Sequence, residues 1–173
     1  GSLVIKYSFT ATEDVNPRQV GLVFSVPGSN RNMSWYRKGF WSSYPEWHIG
    51  RTSGKAVPFP SDAFYPNKPG VRPEGEWRLD ANSLGTNDFR STKDNIYWAA
   101  LTNANGTGIA AISDGKQAFR SYVNGNSVNF LVAGYSNGGA EIFFASHLES
   151  ERRPLKAGDN FEGEVILKVV CTE

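Results

Sequence analysis

Glu74, Glu76, Asp80, Asp88 and Asp94 form the chain's most conspicuous grouping of carboxylates. A glycosidase needs two carboxylates held opposite each other across a sugar, one as acid and one as nucleophile or base. These five sit among glycines, asparagines and polar residues with no framed pair, so they read as solvated loop charges. Residues 80 to 95, "DANSLGTNDFRSTKDN", also supply Asp80, Asn82, Asn87, Asp88 and Asp94, hard oxygen donors of the kind calcium prefers. Their spacing matches no EF-hand, and loop Asx residues commonly bond nearby amides to close turns. Calcium held by Asp80, Asn82, Asn87 and Asp88 is the alternative to that plainer reading, and no other cofactor is implied. Gly-x-Ser-x-Gly is absent, and His48 and His147 stand in no recognisable motif. Neither Gly-x-Gly-x-x-Gly nor Walker spacing occurs, so nucleotide binding has no support and no catalytic residue is assigned.

The second concentration of chemistry is aromatic. Residues 35 to 51, "WYRKGFWSSYPEWHIGR", hold three of the five tryptophans among Arg37, Lys38, His48 and Arg51. Trp35 and Tyr36 end an apparent strand, and Trp35 is expected in the core. Trp41 and Trp47 flank Ser42-Ser43-Tyr44-Pro45-Glu46, which a regular strand would rarely carry because of its proline. Exposed aromatic faces stack on sugar rings while Arg, Glu, Asn and His bond hydroxyls. Contact with a ligand or domain and simple packing both remain open for these two tryptophans.

These side chains must be positioned by one core, because 173 residues suit a single ordinary domain. Gly1-Ser2 reads as a cloning remnant and residues 3–173 as the domain, excised from something larger. Eighteen Lys plus Arg against 17 Asp plus Glu give a formal charge of +1, with no excess to hold a phosphate backbone. Nucleic acid is therefore an unexpected partner. The longest apolar runs fall far short of the roughly 20 residues that span a bilayer, so no membrane helix is expected. Cys171 is the single cysteine, which excludes an internal disulfide and leaves the compartment open.

Eighteen glycines and nine prolines recur between short apolar stretches, and no window of a dozen residues sustains a helical apolar period. The chain reads as all-β. Candidate strands are Val4 to Thr12, Gln19 to Val26, Asn32 to Arg37, Ile96 to Thr102, Gly108 to Ser113, Ala118 to Val123, Ser127 to Ala133, Ala140 to Ser146 and Phe161 to Val170. Asn105-Gly106 and Asn124-Gly125 supply the positive φ of hairpin turns. So many strands bury their apolar sides most simply as two packed antiparallel sheets, a β-sandwich. Residues 52–95, punctuated by five prolines, form an irregular excursion.

"WYRKGFWSSYP" followed by "GR", and then "NDFRSTKDNIYWAALTNANGTGIAA", resemble the C-terminal β-sandwich domain of family 2 glycoside hydrolases, the β-galactosidase type. That domain carries a Trp-Tyr/Phe-Gly-x-Gly-Pro-x-Glu-Asn-Tyr-Pro-Asp-Arg segment, then an Asn-x-x-Asp-x-Arg-Trp strand leading to an Asn-Gly-Thr-Gly hairpin. Trp35, Tyr36, Gly39, Tyr44 and Pro45 match the first segment; Trp98, Ala100, Leu101, Thr102, Gly106, Thr107 and Gly108 match the second. The terminal "LKAGDNFEGEVILKVV" looks like the domain's closing strand. Phe40-Trp41-Ser42-Ser43 stands where the family has Pro-x-Glu-Asn, and Glu46-Trp47 where it has Asp-Arg. The family's late Gly-Gly-Asp-x-Ser-Trp motif has no counterpart in "FFASHLESERR".

The resemblance implies a galactose-mutarotase-like supersandwich that buttresses a (β/α)8 barrel of the same parent chain, where both catalytic glutamates lie. It further implies that the loop from Gly39 to Arg51 reaches the active-site rim. Gly39 would permit the bend, Trp41, Tyr44 and Trp47 would meet the glycan or seal the rim, and Glu46, His48 and Arg51 would supply polar contacts. A glycan-degrading parent favours the periplasm or the cell exterior. Two other readings stand beside it: an autonomous carbohydrate-binding module, and a structural or oligomer-forming domain.

Overall fold

The computed structural model describes residues 1–39, 52–56, 92–136 and 153–171, and among them all regular structure is β-strand. The strands are β1 (Ser2–Thr10), β2 (Gln19–Pro27), β3 (Asn32–Arg37), β4 (Ser53–Ala56), β5 (Lys93–Thr102), β6 (Gly108–Asn124), β7 (Ser127–Ser136) and β8 (Asn160–Val170). Every pairing between them is antiparallel. The larger layer runs in the order β1-β8-β6-β5-β3-β4, and β2 and β7 continue from β6 as the smaller one.

β6 serves both layers, and the start of β5 follows it past the bend, with Lys93 opposite Phe119 and Ile96 opposite Gln117. Gly108 to Ile112, the first part of β6, lies between β5 and β8, whereas Ala118 to Asn124 pairs with β7. The sequence reads these as two separate strands; the structure joins them through a bend at Ser113 to Lys116. Gly115 adopts a φ of 91°, the left-handed region that suits glycine. Asp114 Oδ1 accepts the Lys116 N–H at 3.2 Å and holds the turn locally. Strands that change sheet through such bends form the corners of β-sandwiches.

Alternation fills the space between the layers. Trp35 and Met33 of β3, Ile96, Ala99 and Leu101 of β5, Ala111 of β6 and Val165 of β8 face Val26 of β2, Phe119 of β6 and Val128, Phe130 and Val132 of β7. Phe119 and Phe130 pack as a tilted pair with ring centroids 4.6 Å apart. Trp35 is fully buried, as its position in the sequence led us to expect. Its ring occupies the space above Gly54, where an added Cβ would come within 2.5 Å of the indole.

Both Asn-Gly hairpins form. Asn103 Oδ1 accepts the N–H groups of Asn105 and Thr107 at 2.9 and 3.0 Å, with Gly106 at a φ of 76°. Gly125, at a φ of 58°, closes the turn between Asn124 and Ser127. Several strand boundaries differ from expectation: β1 runs from Ser2, within the segment read as a remnant, to Thr10, β7 continues to Ser136, and β4 at Ser53–Ala56 and the start of β5 at Lys93 fall inside the stretch read as irregular. Short alternation and neighbouring prolines hid β4, which exists because Met33 to Tyr36 offers it a ladder. Residues 57–91 and the strand expected at Ala140 to Ser146 lie outside the described residues.

Two substitutions test this core. Phe130→Ala is expected to lower unfolding free energy by about 3–5 kcal/mol, and Gly54→Ala by about 1–3 kcal/mol through overpacking against Trp35. Denaturant titration reads both; a Gly54→Ala chain as stable as the native one would show that the indole can move aside.

Candidate functional site

Gly39 is the one expected rim residue among the described positions, and it is exposed. Trp41, Tyr44, Glu46, Trp47, His48 and Arg51 lie outside them, as do Asp80, Asn82, Asn87 and Asp88. What the structure does give is the foundation of that loop. The Arg37 N–H donates to Thr52 O at 2.7 Å and the Lys38 N–H to Asn95 O at 2.8 Å. Gly39 is pressed against Thr52, whose Cγ2 would lie 2.8 Å from an added Cβ. Among the described residues no group of three or more His, Cys, Asp or Glu is placed to hold a metal.

Charged residues gather at this end of the sandwich. Lys93 pairs with Phe119 and shares its inward face, so its whole side chain is buried. Its ammonium lies 4.5 Å from the centroid of the Trp35 ring, where the negative π-face offsets part of the cost of desolvation. Asp94 is partly buried. Burial pushes its carboxyl above the usual range, while a hydrogen bond from Ser136 and the charges of Arg37 and Lys93 pull in the opposite direction. Burial likewise lowers the pKa of the Arg37 guanidinium, and the Asp94 charge opposes that shift.

A hydrogen-bonded chain extends this cluster across the layers. Gln19 Nε2 donates to Ser136 Oγ at 3.1 Å and to Thr92 Oγ1 at 3.4 Å, and Arg120 donates to Gln19 Oε1 at 3.3 Å. Arg120 also lies over the Tyr122 ring at 4.8 Å. Asp94 was grouped by sequence with solvated loop carboxylates; that reading is corrected, because β5 begins at Lys93 and leaves Asp94 partly buried, hydrogen-bonded to Ser136 and within range of the Arg37 charge. Lys93 had no sequence signal, since a lysine before a strand ordinarily faces water.

A second feature lies on the outer face of the larger layer. Tyr36 and Trp98 stand opposite each other and are 46% and 37% exposed. The Tyr97 ring approaches Tyr36 with centroids 5.3 Å apart, at a shift in the β5 register. Trp98 pairs with Ile112, Ile112 with Ile166, and Ile166 with Val4. One apolar row therefore crosses five strands, roughly 19 Å at the usual inter-strand spacing. Alternation alone puts Trp35 inside and Tyr36 outside; only strand register brings Tyr36 to Trp98.

The sign of the Asp94 shift yields a pH test. A carboxyl whose folded pKa is raised contributes stability that is present below its ordinary value and lost as pH rises through the raised one. The native chain should lose stability relative to Asp94→Asn over that window. Asp14 should behave oppositely, because the Lys156 ammonium at 2.7 Å and the Ala157 N–H at 3.0 Å lower its pKa. The native chain's margin over Asp14→Asn should shrink as pH falls below the ordinary carboxylate value. Thermal melts across acidic to neutral pH read both differences, and a flat Asp94→Asn difference would refute the raised pKa.

No protein-family model matches the chain, and no curated protein matches it.

Proposed function

We propose that the chain is a non-catalytic accessory domain of a family 2-like glycoside hydrolase, buttressing the catalytic barrel and lending the Gly39 to Arg51 loop to the active-site rim. The observation that carries this reading is the Tyr36–Trp98–Ile112–Ile166–Val4 row, an apolar strip on the outer face of a sheet whose inner face is already packed. Exposed apolar strips of this kind mark surfaces that meet another body. The residues behind the resemblance support it further: Trp35 and Tyr36 lie on β3, Trp98 to Thr102 on β5, Gly106 to Gly108 at the next hairpin, and the closing segment on β8. Three of these strands and β6 are successive neighbours in one layer. The charged cluster at the base of the loop then orients the rim, and the row docks against the barrel.

A second reading is favoured by the aromatic end of the same row. Tyr36, Tyr97 and Trp98 form a cluster on which a sugar ring could stack, and this would make the chain an autonomous carbohydrate-binding module.

Tryptophan fluorescence of the chain, titrated with galactose-, glucose- and xylose-based oligosaccharides, separates the two. The accessory domain is expected to give no saturable change by itself; a saturable change abolished by Trp98→Ala would overturn it in favour of the module. In the intact parent enzyme, Trp41→Ala is expected to cost about 1–3 kcal/mol of transition-state stabilisation in kcat/KM. Unchanged kinetics would remove the loop from the rim.

A further inference from the structure

The side of β1 away from β8, unpaired among the described residues, carries an inference independent of any enzyme reading. β1 ends the larger layer, and among the described residues it pairs with β8 alone. Its ladder runs from Ser2 to Thr10 without a register shift, and the strand contains no proline. The other edges are guarded. β2 is interrupted by a shift between Val20 and Gly21 and ends in Pro27, and β4 is four residues long. Short strands, bulges, prolines and charges are the ordinary means of blunting an edge. β1 has one charge, Lys6, which lies 4.0 Å from Glu164 of the neighbouring strand. Large apolar side chains are wet on both of its faces: Leu3 is 59% exposed and Val4 52%.

We propose that two copies of this chain associate edge to edge through β1, antiparallel, about a twofold axis at Val4. A long, flat edge presents unpaired N–H and C=O groups, and the partner that satisfies them is another extended strand. Self-pairing is favoured by the order of residues along β1. With the axis at Val4, Val4 meets Val4 of the second copy, Leu3 meets Ile5, and Lys6 meets Ser2. An axis at Lys6 would set two lysines face to face, and one at Ile5 would set Lys6 against Val4. Like charges directly opposite destabilise a ladder, and matched apolar pairs stabilise it.

Continuity on both faces supports the same register. Val4 is the edge terminus of the outer apolar row, so pairing at Val4 joins two such rows into one strip across ten strands. On the inner face Leu3 pairs with Leu167 and Leu167 with Ala111, and Ile5 of the second copy would cover the exposed end of that row. An edge ladder is smaller than the roughly 1,600 Å² of a standard stable interface, so monomer and dimer should exchange with concentration.

Sedimentation equilibrium of the chain over a dilution series is the test. A species of twice the 19.0 kDa chain mass that dissociates on dilution is expected. Val4→Lys and Leu3→Lys, both at exposed positions, should abolish it while circular dichroism and melting stay native. Val23→Lys on the outer face of β2 and Trp98→Ala should leave it intact. The register is read directly by Val4→Cys in a chain whose exposed Cys171 is changed to serine. Paired Cα atoms in a ladder lie at disulfide distance, so a covalent dimer should form on oxidation, and Lys6→Cys should give none. A chain monomeric at every concentration, or a dimer retained in Val4→Lys, would overturn the proposal.

Discussion

β6 belongs to both layers, and it can do so because residue 115 is a glycine at a positive φ. Before the bend, β6 closes the larger layer between β5 and β8; after it, the same strand starts the smaller layer against β7. The bend therefore brings Phe119 over Trp35's side of the core and makes one hydrophobic space out of two sheets. It also reaches the surface. The Tyr97 ring covers Gly115, where an added Cβ would lie 3.1 Å from the ring, and Tyr97 packs against Tyr36. The corner that builds the core thus also steadies the aromatic cluster on the outer face.

The alternation that follows from extended backbone divides neighbouring residues between two tasks. Trp35 fills the interior and Tyr36 faces out; Ala99 packs and Trp98 is exposed; Val165 is buried and Ile166 joins the apolar row. At the start of β5 the same rule sends Lys93 inward, an expensive placement made tolerable by the indole beneath it. Asp94, Arg37 and Ser136 then gather beside it, and Gln19 and Arg120 tie the group to β2 and β6. In the accessory-domain reading this charged end, where Gly39 and Thr52 meet, is the natural place to root a loop that must hold its position at a glycan.

Edges and faces of the larger layer also call for different partners. The outer row is a surface suited to broad contact, whether with a neighbouring domain or with a sugar at its aromatic end. The β1 edge has backbone groups to satisfy and accepts only an extended strand. Because Val4 belongs to both features, association through the edge would double the length of the strip that the face offers.

Class, the two Asn-Gly hairpins and the burial of Trp35 were legible in the residues themselves. Glycine and proline punctuation excluded long helices, Asn-Gly at two places set positive-φ turns, and the position of Trp35 announced burial, because these depend on local conformational preference and period-two alternation. Joining Gly108–Ser113 to Ala118–Val123 as one strand was not legible, since "SDGK" makes an equally good hairpin turn when no second layer is at hand. Nor were β4, the burial of Lys93 or the placing of Asp94 beside Ser136 and within range of the Arg37 charge. Each depends on which strands become neighbours, and in what register, and those choices are made by packing across the whole sandwich rather than by any local stretch of chain.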